Sequence, residues 1–142
     1  MSVFSWPARV YWEDTDGGGI VYYANYLRFL ERARTEWLRS LGYSQQALAR
    51  EAGIVFAVAR INVEYRRPAR LDDELTITCA AHADRAATIR FEQGIFLGRD
   101  PGAAPPILTA GVRVACVDAQ TLKPRRLPET LINVLISPSD KA

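Results

Sequence analysis

The chain has one histidine and two cysteines in 142 residues, and these shortages remove whole chemistries. His82 sits among Ala80, Ala81 and Ala83 in a segment that reads as a strand, far from any glycine-rich loop. It reads as a surface or strand-edge histidine, which leaves no serine–histidine triad, cysteine–histidine dyad or histidine-based metal site. Cys79 and Cys116 lie inside apolar runs, as small buried hydrophobes of a reducing compartment rather than a disulfide framework. No phosphate-cradling GxxxxGK or GxGxxG motif is present. No apolar stretch approaches ~18 residues, and the N-terminus lacks the basic-then-apolar pattern of a secretory signal, so no membrane span is expected and the expected location is cytoplasmic. A net charge of +2 argues for neither nucleic acid nor a membrane surface.

What is present suits a single domain over residues 1–142, with a tail after Ser137 expected to fray. Ser5–Trp12 alternates as a first strand, with Ala8, Val10 and Trp12 on one side. Glu13–Gly19 is a loop of acids, threonine and three glycines. From Asn25 to Leu41 the period becomes helical: Tyr26, Phe29, Leu30, Ala33, Trp37, Leu38 and Leu41 share one face. Arg28, Glu31, Arg32, Arg34, Glu36 and Arg39 fill the other, with Arg32 and Glu36 spaced to pair. Asn25 is the expected N-cap and Gly42 the C-cap. Ser44 caps a short helix ended by Gly53. Strands follow at Phe56–Tyr65, Glu74–Ala83, Thr88–Leu97 and Ile107–Val117, placed for meander pairing, and a helical turn at Pro128–Leu135. One long helix with an apolar face needs a sheet to bury it, so the fold class is α+β: an antiparallel sheet of about five strands around one central helix.

Among the residue types that remain for chemistry, a carboxylate beside a helix start stands out. Glu13, Asp14 and Asp16 crowd the loop that feeds Ile20–Tyr23 and then the helix. Free N–H groups at a helix start carry partial positive charge and can hold a carbonyl oxygen as negative charge develops on it. A carboxylate a few residues upstream can attack that carbonyl or activate a water. The same acids can equally do no more than cap the turn. Arg66, Arg67, Arg70, Arg85, Arg125 and Arg126 fall near turns, where a phosphate-bearing ligand can be met or where they form a solvated rim.

The spelling decides between these. YWEDTDGGGIVYYANYLRFLERARTEWL, Tyr11 to Leu38, resembles the signature of the hotdog-fold acyl-CoA thioesterases. Within them it resembles the Tol-Pal-associated, YbgC-like branch, a cousin of 4-hydroxybenzoyl-CoA thioesterase. The likeness continues through VEYRRPARLDDELTI, Val63 to Ile77, and CVDAQTLKPRRLP, Cys116 to Pro128.

This resemblance implies a hotdog fold, hydrolysis of a CoA thioester, no cofactor and no metal. It implies that Asp16 is the catalytic aspartate, as nucleophile or general base, and that the main-chain N–H of Tyr23 polarises the carbonyl. It places Tyr22, Asn25 and Arg85 at the substrate, with Arg85 on the CoA phosphates. Many members of the branch have histidine where this chain has Tyr23; the hydroxybenzoyl-CoA relative has tyrosine there. The implied assembly is a homodimer or dimer of dimers with each acyl channel between subunits, and an envelope-related protein is a possible partner. Rival readings are hydration of an acyl thioester on the same fold, for which His82 is misplaced, and a non-catalytic acyl-CoA-binding or envelope-assembly protein.

Overall fold

The computed structural model describes residues 3–135. Five antiparallel strands form one sheet: β1 (Phe4–Arg9), β2 (Ile54–Tyr65), β3 (Glu74–Arg85), β4 (Thr88–Leu97) and β5 (Leu108–Asp118). Helix α1 (Tyr26–Ser40) packs on β1 and β3; α2 (Gln45–Ala47) runs into a π turn over Leu48–Ala52, and α3 (Glu129–Leu135) follows β5. This is the α+β arrangement of antiparallel sheet and long helix that the periodicity predicts. Among the described residues no helix is long and apolar enough to cross a membrane. The tail 137–142 lies outside the described residues.

The helix stripe behaves as its spacing dictates. Tyr26, Phe29, Leu30, Ala33, Trp37 and Leu38 are buried against the inward side chains of β3 and β4, among them Leu75, Ile77, Cys79, Ile89, Phe91 and Ile95. Each fully buried large side chain contributes about 1.5–3 kcal/mol. Burial pushes the Cys79 thiol up to about 12, so it is an apolar filler rather than a nucleophile. Gly42 follows the helix at φ 91°, the left-handed conformation that ends a helix without strain in glycine. Ser44 caps α2 through its hydroxyl, which accepts the Ala47 N–H at 3.1 Å.

Several local expectations are corrected. β1 stops at Arg9; Val10 is buried, but Trp12 belongs to a 3-10 turn (Trp12–Asp14) and is exposed. The meander holds only for β3, β4 and β5. The sheet order is β1-β3-β4-β5-β2, so β2 crosses to the far edge and pairs with β5, while β1 takes the edge beside β3. Residues 57, 59, 61 and 63 would share one face of an unbroken strand, but β2 carries a bulge between Val58 and Arg60, and Ala57 and Ala59 are exposed while Ile61 and Val63 pack against the core. Arg34 is not on the solvent face. Its guanidinium donates to Gln93 Oε1 at 3.0 Å, the Gln93 amide donates in turn to the Leu30 carbonyl at 3.0 Å, and burial lowers the Arg34 pKa. Glu36 pairs with Arg39 at 2.6 Å, not with Arg32, whose guanidinium lies 5.8 Å from the Phe29 ring centroid.

Trp37 meets Phe91 edge-on, with ring centroids 5.3 Å apart and planes at 88°. Trp37→Ala removes this contact and leaves a void between helix and sheet. The expected cost is about 3–5 kcal/mol, to be read from the urea midpoint; a variant of parental stability would mean the ring is not part of the core.

Candidate functional site

The loop between β1 and α1 is built on two aspartates with different surroundings. Asp14 is buried. Its Oδ2 accepts the Tyr11 N–H at 2.8 Å and its Oδ1 accepts the Asn25 side-chain amide at 2.8 Å. Its own carbonyl accepts the Tyr22 N–H at 3.0 Å. One residue therefore holds the 3-10 turn behind it and the helix start ahead of it. Asp16, two positions on, is exposed. One of its carboxylate oxygens accepts the Gly18 N–H at 2.8 Å, an Asx-type turn. The other has no hydrogen-bond donor among the described residues.

Glycines make this turn possible. Gly17 and Gly19 have φ of 87° and 89°, values that L side chains rarely adopt. A Cβ on Gly18 would lie 3.1 Å from the Asp16 carboxylate oxygen and would push it aside. The turn is closed by the Asp16 N–H donating to the Ile20 carbonyl at 3.1 Å. It is laid against the segment before β3 by Leu71 N–H to the Gly19 carbonyl and Val21 N–H to the Ala69 carbonyl, both at 2.9 Å.

The helix starts earlier than its period suggests. A 3-10 turn over Tyr23–Asn25 precedes α1. The carbonyls that would accept the Tyr23 N–H in a continuing helix belong to Gly19 and Ile20, and both already accept from Leu71 and Asp16. Among the described residues the Tyr23 N–H has no acceptor. Asn25 stands at the N-cap position of α1 as expected, but it does not cap through its side chain: its backbone is helical and its amide donates to Asp14.

Tyrosines gather here. Tyr22, Tyr23 and Tyr65 are exposed, with the Tyr22 and Tyr23 centroids 4.9 Å apart and those of Tyr23 and Tyr65 6.3 Å apart. The Tyr65 hydroxyl donates to the Tyr23 carbonyl at 3.0 Å. Burial, then the neighbouring Tyr23, raises the Tyr65 pKa, so the phenol stays protonated and remains a donor.

Arg85 stands apart. It lies in the β3–β4 hairpin opposite Thr88, at the far end of β3 from the acidic loop. At ~3.3 Å per residue the twelve residues of β3 put roughly 35 Å between its two ends. Arg126 lies close by, since the Leu127 N–H bonds the Ala86 carbonyl at 2.9 Å. Arg125 is committed to Asp118 at 2.8 Å and Arg66 to Glu64 at 3.0 Å, while Arg70 bridges to Ile20 beside the acidic loop. The structure thus bonds the loop that carries Asp14 and Asp16 to the segment that carries Tyr22 and Tyr23, joins Asn25 to Asp14, and leaves Arg85 at the far end of β3. Sequence reasoning missed the tie from Asp14 to Asn25 and the arrival of Tyr65. The acid and amide eleven residues apart carried no periodic signal, and the role of Tyr65 follows from a strand end meeting a helix start. Among the described residues no three His, Cys, Asp or Glu side chains converge as a metal site requires.

A family model described as the thioesterase-like superfamily matches residues 10–135. Over 132 residues the chain is 46% identical to the acyl-CoA thioester hydrolase YbgC of Escherichia coli, covering 92% of this chain and 94% of that protein. It is 44% identical over 126 residues to the acyl-CoA thioesterase YbgC of Haemophilus influenzae, covering 89% of each. The crystal structure of the probable thioesterase from Bartonella henselae superposes with a TM-score of 0.79 at 36% identity, covering 89% of this chain and 100% of that one.

The Asp14 tie predicts a stability effect. Asp14→Ala strands two donors, the Tyr11 N–H and the Asn25 amide, and is expected to cost about 2–4 kcal/mol. Asp14→Asn should cost less, because Asn25 can turn its amide and accept from the new one. Denaturant melts of the two variants check the order; equal stability to the parent would remove Asp14 from the framework.

Proposed function

The chain belongs to the thioesterase-like superfamily, and from that membership we propose that it hydrolyses an acyl-CoA thioester to the free acid and CoA, with Asp16 as its catalytic carboxylate. The observation that carries this reading is the pairing of an exposed aspartate, one oxygen free, with a Tyr23 N–H that lacks an acceptor, on two segments tied together through Asp14. The thioester carbonyl accepts the Tyr23 N–H, which stabilises the oxyanion that forms on attack. Asp16 either attacks the carbonyl carbon, giving an acyl–aspartyl anhydride that water then cleaves, or takes a proton from the attacking water. Either way the C–S bond breaks, the thiolate leaves with CoA and takes up a proton, and the acid is released. A single turnover in ¹⁸O-water separates the two routes, since only the anhydride route can leave label in the Asp16 side chain.

Tyr22 contacts the acyl group from its exposed position beside Tyr23. Asn25 serves the site through Asp14 and not by touching substrate. The working form is a homodimer or dimer of dimers. Two features support this: β2 is an exposed sheet edge carrying Val58 and Tyr65 at its surface, and Arg85 is too far from Asp16 to serve the same site within one chain. Arg85 then holds the CoA phosphates from a second copy. The buried free thiols Cys79 and Cys116 accord with a cytoplasmic location. An envelope-related partner rests on the resemblance alone.

Release of CoA thiol from short, long and aromatic acyl-CoAs tests the activity. Asp16→Asn is expected to lower kcat by at least ~10²-fold, the scale of a lost acid–base or nucleophilic group, with little change in melting temperature. Glu13→Gln should stay within about a factor of ten of the parent. A parent that binds acyl-CoA but releases no thiol would favour the non-catalytic reading. Arg85→Ala should raise KM with kcat nearly unchanged, because the phosphates do not change during the reaction; an unaltered KM across several acyl-CoAs would remove Arg85 from the phosphate contacts.

A further inference from the structure

Tyr65 reaches the site from a direction that neither the acidic loop nor the helix explains. It is the last residue of β2, paired with Leu108 of β5, and the next two residues, Arg66 and Arg67, both donate their N–H to the Ile107 carbonyl. Its ring leans on Tyr26, with centroids 5.7 Å apart, and meets Tyr23 edge-on. Tyr26 is itself anchored, since it is buried and its hydroxyl accepts the Ala69 N–H at 2.9 Å. A strand end and a fixed ring therefore place the Tyr65 phenol, whose O–H donates to the Tyr23 carbonyl at 3.0 Å.

That carbonyl shares a peptide plane with the Ala24 N–H. Among the described residues neither the Tyr23 nor the Ala24 N–H has an acceptor, so these are the first two open donors of the helix start. A hydrogen bond onto the Tyr23 carbonyl fixes that plane and makes the Ala24 N–H a stronger donor by polarising the amide. It also limits rotation about Tyr23, whose own N–H is the carbonyl contact proposed above.

We infer that Tyr65 is a positioning residue: through its hydroxyl it orients and polarises the Tyr23–Ala24 main chain, which presents two amide donors to the thioester oxygen. The inference rests on the reading of Asp16 and Tyr23 as the hydrolytic site and adds a residue on another element of the fold. The phenol acts through the main chain, so it contributes as charge develops on the substrate oxygen and little to ground-state binding.

Tyr65→Phe keeps the ring and its packing and removes only the hydroxyl. The expected result is a kcat lower by about threefold to tenfold, the rate equivalent of one hydrogen bond, with KM and melting temperature as in the parent. In an Asp16→Asn background, adding Tyr65→Phe should leave acyl-CoA affinity unchanged. Tyr43→Phe, which removes a remote tyrosine hydroxyl bonded to Thr130, serves as the control and should turn over normally. A Tyr65→Phe enzyme with parental kcat, while Asp16→Asn is inactive, overturns the inference and leaves the site reading intact. A raised KM at parental kcat, or a lower melting temperature accompanying the rate loss, also overturns it, since the hydroxyl would then bind substrate or hold the fold. A fully active Asp16→Asn removes the site reading and this inference with it.

Discussion

Two hydrogen bonds to the Asp14 carboxylate, from the Tyr11 N–H and the Asn25 amide, join the end of β1 to the start of α1. The rest of the site depends on this join. A carboxylate taken out of water must be satisfied, or it costs several kcal/mol. Asp14 meets that requirement without a basic partner, using one main-chain and one side-chain donor. Its carbonyl then takes the Tyr22 N–H. With Tyr11, Tyr22 and Asn25 all referred to one residue, the glycine turn between them has little freedom in how far it projects. Asp16 rides on that turn, at a position that varies only as much as Asp14 allows.

Fold class was legible because it rests on periods that neighbouring residues share. The stripe from Tyr26 to Leu38 and the alternation of Leu75, Ile77, Cys79 and Ala81 each have one consistent solution: a helix face on a sheet face. Strand order was not legible. Nothing local distinguishes β2 as the partner of β5 from β2 as the partner of β3; the choice is made when β1 takes the edge of β3. Arg34 misled for a related reason. Its spacing puts it at the margin of the apolar stripe, and whether it turns to water or to Gln93 depends on a strand residue 59 positions away. The bulge in β2 likewise inserts one residue at Ala59 and reverses the faces that a continuous alternation implies.

The site was legible as a motif and opaque as geometry. The order of acids, glycines and tyrosines marks the segment, and in the structure the loop that carries Asp14 and Asp16 is bonded to the stretch that carries Tyr22 and Tyr23. It does not mark which acid is buried. Asp14 and Asp16 are chemically identical and two residues apart, and a short 3-10 turn at Trp12–Asp14 decides between them by rotating the first inward and leaving the second on the glycine turn. Arg85 is the converse case, a residue recognised by its surroundings in the chain and carried by a twelve-residue strand to the opposite end of the sheet.

The exposure of Asp16 has a consequence for how such a site works. In open water a hydrogen bond from an amide to a developing oxyanion is weak, because the solvent competes and the effective dielectric is high. The donors at Tyr23 and Ala24 gain strength only when water is displaced from them. Within one chain the groups available to displace it are the exposed rings of Tyr22, Tyr23 and Tyr65, and these flank the site without covering it. In the proposed assembly the remaining cover comes from the acyl-CoA and from the second copy that would bring Arg85. Asp16 is therefore exposed to solvent in the free chain. It meets a low-dielectric environment only with its target in place. Burial of Asp14 and exposure of Asp16 then follow one logic: the acid that holds the framework is enclosed from the start, and the acid proposed to react is enclosed last.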